Sequence, residues 1–164
     1  PPSEMLRSLV GSEMCIRDRL SLSDKIGYLY KGKIIQFDTP YEIFHNPLHK
    51  IIAKSISNSN ILEGTPSNGK IITNIGEFTI SEKITNPDKI SINVRPNQLT
   101  LDHSSKKYEI VEEEFLEGSQ LYLVKDTENN HIISVSMIGE NDFSVGDKVG
   151  IQIINNNANL IDIS

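Results

Sequence analysis

The residues of this chain whose types and spacing could do chemistry are few. His45 and His49 stand four apart, the spacing at which two imidazoles can share a helical face and ligate a metal. Pro47 lies between them and breaks such a face, and no Cys or third ligand is near, so a metal pair is disfavoured. Glu112, Glu113 and Glu114 offer carboxylates of the kind that do acid–base work. On a strand, alternation sends Glu113 to the face opposite the other two, which favours a solvated face over a catalytic pair. Asp102-His103-Ser104 holds the residue types of a nucleophilic triad, but adjacent residues cannot converge on one point, and the run reads as a turn. Arg95-Pro96 has two readings: Arg95 pairs with an acidic strand residue such as Glu113, or it ends a strand in solvent before a Pro-initiated turn. No Gly-x-x-x-x-Gly-Lys-Ser/Thr phosphate cradle occurs in the 164 residues. No catalytic, cofactor-binding or metal-ligating residue is therefore assigned.

Composition bounds what can position these groups. With 37% hydrophobic and 23% charged residues, the chain can build a sizeable core and is neither disordered nor collagen-like. Its apolar runs fall far short of the roughly 20 residues that span a bilayer. One Cys cannot make an internal disulfide framework. The net charge of −6 disfavours nucleic-acid binding, which draws on a basic surface to displace counterions from phosphates.

The N-terminal residues read as non-native. Leu9 to Asp18 reproduce, residue for residue, one frame of a common transposase-based sequencing adapter, with Arg19 an allowed completion and Ser8 permitted. Residues 1–19 are accordingly expected to be an adapter-derived artefact, the alternative being a genuine short helix containing Leu6, Leu9, Met14 and Ile16. On that reading Cys15 is not native, the whole negative charge belongs to Leu20 to Ser164, and the protein extends further at its N-terminus.

Beyond Leu20, where Ser23 and Asp24 are turn or cap residues, two β-rich runs, Lys25 to Tyr30 and Lys33 to Phe37, flank Lys31-Gly32, a tight hairpin turn. Thr39-Pro40 predicts a helix over Tyr41 to His45, stopped by Asn46-Pro47. A second helix is expected from Leu48 to about Ser55, with Leu48, Ile51 and Ile52 on one apolar face. Ser57 to Asn60 reads as a polar hinge. After it come short strand-like runs: Ile61 to Gly64, Lys70 to Thr73, Glu77 to Ile80, Lys89 to Arg95, Leu99 to Asp102, Lys107 to Leu116, Ser119 to Asp126, His131 to Met137, Lys148 to Ile154 and Leu160 to Ile163. The fold class expected is mainly β, a small barrel or sandwich preceded by a hairpin and two short helices.

Three runs carry a family likeness: Leu20-Ser-Leu-Ser-Asp-Lys-Ile, Tyr30-Lys-Gly-Lys-Ile-Ile-Gln and Thr39-Pro-Tyr-Glu-Ile-Phe-His-Asn-Pro. Together they resemble the end of the nucleotide-binding domain in ATP-binding subunits of bacterial ABC importers. Downstream, Asn60-Ile-Leu-Glu-Gly and Val94-Arg-Pro-Asn-Gln-Leu-Thr-Leu resemble signatures of the OB-like accessory (TOBE) domain that follows it, and Glu117-Gly118 and Ser144-Val-Gly-Asp-Lys-Val fit its later strands. The family's Gly before Thr-Pro is Asp38 here, and its Glu after Arg-Pro is Asn97. The resemblance implies three parts: the artefact at 1–19, a nucleotide-binding-domain remnant at 20–57, and the TOBE domain at 58–164. The motif positions it singles out as structural are Ser23, Asp24, Gly32, Thr39, Pro40, Pro47, Gly64, Arg95, Pro96, Gly118 and Gly146.

By the same resemblance, the parent protein binds ATP and Mg²⁺ and couples hydrolysis to solute uptake at the cytoplasmic face of the inner membrane. It works as a homodimer with permease subunits, indirectly with a periplasmic binding protein, and without nucleic acid. This chain lacks the phosphate cradle, signature and switch His and is expected to be inactive alone, supplying regulatory and dimer contacts. The run Ile71-Ile-Thr-Asn-Ile-Gly-Glu-Phe resembles ferric-iron importers somewhat more than sugar or polyamine importers. Related modules hold small oxyanions, for which Ser119 and Lys125 are available. The alternative reading is a stand-alone OB-type module for a small oxyanion or single-stranded nucleic acid; the latter uses exposed aromatics on a basic groove, whereas this chain is acidic and its β segments have only Phe78, Tyr108, Phe115, Tyr122 and Phe143 as aromatics.

Overall fold

The computed structural model of the chain describes residues 22–84, 90–116 and 118–161. The adapter reading of residues 1–19, and the expectations on Leu20, Lys89, Glu117 and Ile163, lie outside these residues.

Ser23 and Asp24 lie in the segment leading into strand β1 (Ile26–Tyr30), which pairs antiparallel with β2 (Lys33–Asp38). Lys31 and Gly32 make the two-residue turn with φ of 47° and 76°, the double left-handed geometry that suits strand twist and that glycine adopts without strain. Helix α1 (Pro40–His45) starts as expected: Thr39 caps it, its Oγ1 accepting from the Glu42 amide at 3.3 Å, and Pro40 occupies the first turn.

Helix α2 (Lys50–Ser57) runs two residues later than its sequence signals suggest. The imidazole of His49 is the cap, Nδ1 accepting from the Ile51 amide at 3.1 Å. The Leu48 amide is instead taken by Gln36, so Leu48 stays outside the helix and is 63% exposed. The buried face of α2 is Ile52 and Ala53, not one containing Leu48.

The expected polar hinge is a bonded connection. Asn58 ends α2 in the left-handed conformation, the Ser57 and Ser59 hydroxyls meet at 2.6 Å, and Ser59 and Asn60 are buried. From there β3 (Asn60–Ser67), β4 (Lys70–Thr73), β5 (Gly76–Ile80), β6 (Ile90–Val94) and β12 (Asn157–Leu160) close a barrel in the order β12-β5-β4-β3-β6. A 3₁₀ turn at Pro96–Gln98 leads to β7 (Leu99–Asp102). With β8 (Tyr108–Leu116), β9 (Ser119–Asp126), β10 (Ile132–Ile138) and β11 (Lys148–Ile153) it forms an antiparallel sheet ordered β10-β9-β8-β11-β7. The molecule is thus mainly β, with a small barrel and a sheet side by side.

The last strand lies three residues before the expected Leu160 to Ile163. β12 pairs parallel with β5 and antiparallel with β6, Asn159 opposite Asn93 and Leu160 opposite Ile92. Its asparagines read as loop in the sequence, yet alternation points Ala158 inward and turns Asn157 and Asn159 to the other face. One continuous core joins barrel and sheet: Leu62, Ile71, Phe78, Ile92 and Val94 pack with Leu99, Ile110, Tyr122, Val124, Ile133 and Val149.

Candidate functional site

Of the motif residues, Arg95 and Pro96 meet the end of the Thr39-to-Pro47 run where α1 joins the barrel. β6 is buried along its whole length. Ile90, Ile92 and Val94 face the core, and alternation therefore turns Asn93 and Arg95 outward toward α1. Arg95 Nη2 donates to the carbonyls of Phe44 at 3.3 Å and His45 at 2.7 Å, and its guanidinium lies 5.3 Å from the Phe44 ring centre. Carbonyls of a helix's last turn have no intrahelical partner and carry the negative end of its dipole, so a guanidinium is well matched to them. Asn159 adds a second strand's donor: Nδ2 reaches the His45 carbonyl and Asn46 Oδ1, each at 3.0 Å.

The expected carboxylate partner and the expected solvent exposure of Arg95 are both corrected here, whereas the turn begun by Pro96 is present. Among the described residues no ion pair joins it to Glu113 or any other carboxylate. Nor does it end its strand in solvent. Burial pulls its pKa down from the usual guanidinium value, with Tyr41 acting in the opposite direction. His45, in the last turn of α1, is held below the ordinary imidazole range by burial first and by the neighbouring Arg95 charge second, while Glu42 opposes the shift. Its ring stacks on Tyr41 at 4.2 Å.

Two glutamines brace the joint. Gln36, buried in β2, gives Nε2 to the Asn46 carbonyl at 3.2 Å and receives the Leu48 amide on Oε1 at 2.9 Å. Those groups flank Pro47, which has no amide hydrogen of its own, so one side chain satisfies the backbone on both sides of the proline. Gln98 accepts the Arg95 amide at 2.8 Å and donates to the carbonyls of Asn155 and Asn157, tying the 3₁₀ turn begun by Pro96 to the start of β12.

A second latch joins barrel to sheet. Asn60 Oδ1 accepts from the Ser134 amide at 2.7 Å and Nδ2 donates to the Ser134 carbonyl at 2.8 Å. Ser134 lies on β10, an edge strand, so the carboxamide acts as one residue of an added strand. Gly64, four residues on, allows β3 to cross β4 closely: a Cβ there would sit 2.3 Å from Ile71 Cγ2 and 2.8 Å from the Ile72 carbonyl oxygen.

The other candidates do not gather at this joint. Gly118 and Gly146 occupy turns with φ of 76° and 96°. Ser119 and Lys125 stand six residues apart on β9, about 20 Å at strand rise, so they cannot grip one small anion. Glu113 faces Tyr122 across the strands while Glu112 and Glu114 face Leu123 and Leu121, the expected split, and all three are exposed. Asp102 Oδ1 accepts the Ser104 amide at 2.9 Å and its hydroxyl at 2.6 Å, an Asx-type turn that lowers the Asp102 pKa. His49 is spent capping α2, apart in role from His45. Of the five β-segment aromatics, Phe78, Tyr108 and Tyr122 are buried, Phe143 packs on the core, and Phe115 is exposed. Sequence reasoning placed Gln36, Asn60 and Gln98 inside motifs without giving them jobs and missed Asn159; only a regular alternation across the asparagine-rich C-terminal run hinted at the last.

No family model matches the chain. It is similar to Spermidine/putrescine import ATP-binding protein PotA of Mesomycoplasma hyopneumoniae, 31% identical over 90 residues, which is 54% of this chain and 20% of that protein. PotA of Clostridium novyi is 29% identical over 141 residues, 83% of this chain and 40% of that protein. Glucose import ATP-binding protein GlcV of Saccharolobus solfataricus is 30% identical over 84 residues, 51% of this chain and 23% of that protein. The homologues are ATP-binding subunits of import systems, and the chain spans two fifths or less of the length of these relatives.

Proposed function

We propose that the chain is the C-terminal part of an ATP-binding subunit of an ABC import system, with residues 20–57 closing the nucleotide-binding domain and 58–164 forming its TOBE-type accessory domain. The observation that carries this reading is the Arg95 clamp. The Arg-Pro signature of the proposed accessory domain holds the carbonyls at the end of the Thr39-to-Pro47 motif of the proposed ATPase domain. Two motifs about fifty residues apart in the chain thus meet through the residues that define them. In this reading Arg95, Asn159, Gln98 and Gln36 are positioning residues: they make accessory domain and helix end one rigid unit, through which movement of either is felt by the other.

In this reading ATP and Mg²⁺ are held by parts of the parent subunit other than these residues, and the parent works with permease subunits, a partner ATPase copy and, indirectly, a periplasmic binding protein. In this reading the parent acts at the cytoplasmic face of the membrane. The relatives named for polyamine import favour a polyamine as the solute. The likeness of Ile71 to Phe78 to ferric-iron importers supports iron as a second reading. The genomic DNA upstream of the Leu20 codon tests the proposal. An open reading frame carrying a phosphate-binding loop and a switch His is expected, and a start codon near Leu20 would sink the idea. Purified as it stands, the chain should hydrolyse ATP no faster than buffer, whereas the parent subunit hydrolyses it. Uptake of labelled spermidine or ferric iron by cells with the gene deleted would separate the two solutes.

A further inference from the structure

Beside the Arg95 clamp a cavity of about 340 Å³ opens between the end of α1 and strands β6 and β12, at the low end of the range of small-molecule sites, about 300–1,000 Å³. Its wall is built from amides. Asn93 and Asn159 are cross-strand partners, and Asn157 lies two residues along the same face. Asn93 is only 4% exposed, yet its Oδ1 has no hydrogen-bond partner, and Nε of Arg95, next on that face of β6, is unpartnered too. A buried acceptor and a buried donor left without partners cost free energy that a suitable group would recover. On the rim, Tyr41 is 64% exposed and its ring stacks on His45.

We propose that this cavity binds a small neutral polyhydroxyl compound of monosaccharide size. A hydroxyl group both donates and accepts, so the hydroxyls of one compound can serve Asn93 Oδ1 and Arg95 Nε, and the exposed Asn157 carboxamide adds a further donor and acceptor. The exposed Tyr41 ring offers an apolar face for the C–H side of a sugar ring. An anion is less suited: the single guanidinium already spends Nη2 on two carbonyls. A cation would meet Arg95 with no carboxylate among the lining residues to offset it. The walls are held in advance, because Gln98 fixes the start of β12 and Asn159 is tied to Asn46, which limits the ordering cost of binding. The inference does not depend on the transport role proposed above.

The full 164-residue chain, labelled with ¹⁵N, can be titrated with D-xylose and, in parallel, with sodium malonate. Saturable shifts of the Asn93 and Asn157 side-chain amides with D-xylose are expected, half-complete below about 10 mM, with none for malonate. Tyr41→Ala and Asn157→Ala should each weaken binding about tenfold, and Lys106→Ala, at an exposed site elsewhere, should not. Because Tyr41 is on the rim, its variant keeps the test informative if Asn157→Ala does not fold. Shifts with D-xylose that stay linear to about 100 mM, saturation by malonate alone, or equal binding by the Tyr41→Ala variant would each overturn the proposal.

Discussion

Arg95 ties β6 to the end of α1, because its Nη2 alone donates to two carbonyls of the last turn that have no partner within the helix. Arg95→Lys keeps the charge and loses the planar fork, so a loss of about 1–3 kcal/mol is expected, read as a lower urea midpoint at unchanged m-value. His45 supplies a pH signature of the same contact. Its folded-state pKa lies below its ordinary value of about 6.5, so below that pH the unfolded chain binds more protons than the folded one. Stability from this group is therefore whole above pH 6.5 and is lost as the pH falls through that window. Urea midpoints between pH 7.5 and 5.0 should drop less steeply in His45→Gln, and also in Arg95→Gln, which removes the neighbouring charge; slopes identical to the parent chain's would refute the assignment. Asn60→Ala strips both bonds from Ser134, and the Ser134 amide should then exchange its hydrogen at least about tenfold faster, since two bonds of about 1 kcal/mol each are lost.

Among the elements, β3 has its side-chain size tightly set at Gly64. Adding a methyl in Gly64→Ala drives it into Ile71 and the Ile72 carbonyl, backbone that cannot rotate away, and overpacking of this kind costs about 1–3 kcal/mol. A thermal melt of Gly64→Ala matching the parent's would show that β3 and β4 can part more easily than the register allows. The β1–β2 hairpin is at the other extreme. It leaves Leu29, Ile34 and Phe37 more than 60% exposed and is held by Gln36 and by the Tyr28 hydroxyl meeting Ser55 Oγ at 2.7 Å. A two-stranded ribbon with so little burial is marginal alone, so its amides should exchange well before those of β6 and β9. The shifted start of α2 belongs to this scale too: strand β2 reaches across through Gln36 and claims the Leu48 amide, which local helix signals cannot anticipate.

Over the whole molecule, barrel and sheet share one core, so they are expected to unfold together in a single transition seen alike by far-ultraviolet circular dichroism and by exchange at Ile71 and Val124; two separated transitions would contradict the shared core. The sequence by itself determined the mainly β class, the positions of most strands, the Lys31-Gly32 turn and the Thr39-Pro40 helix start. All of these depend on alternation, glycine and capping, which act over a few residues. Its motifs also pointed to Gly64 and Arg95 as special without saying what they touch. Only the tertiary structure decided that Arg95 serves two helix carbonyls and no carboxylate, that Asn60 completes the edge of β10, and that Asn157 to Leu160 is a strand. Each of those outcomes rests on a partner tens of residues away, and the free energy of a hydrogen bond to a distant backbone group leaves no trace in local periodicity.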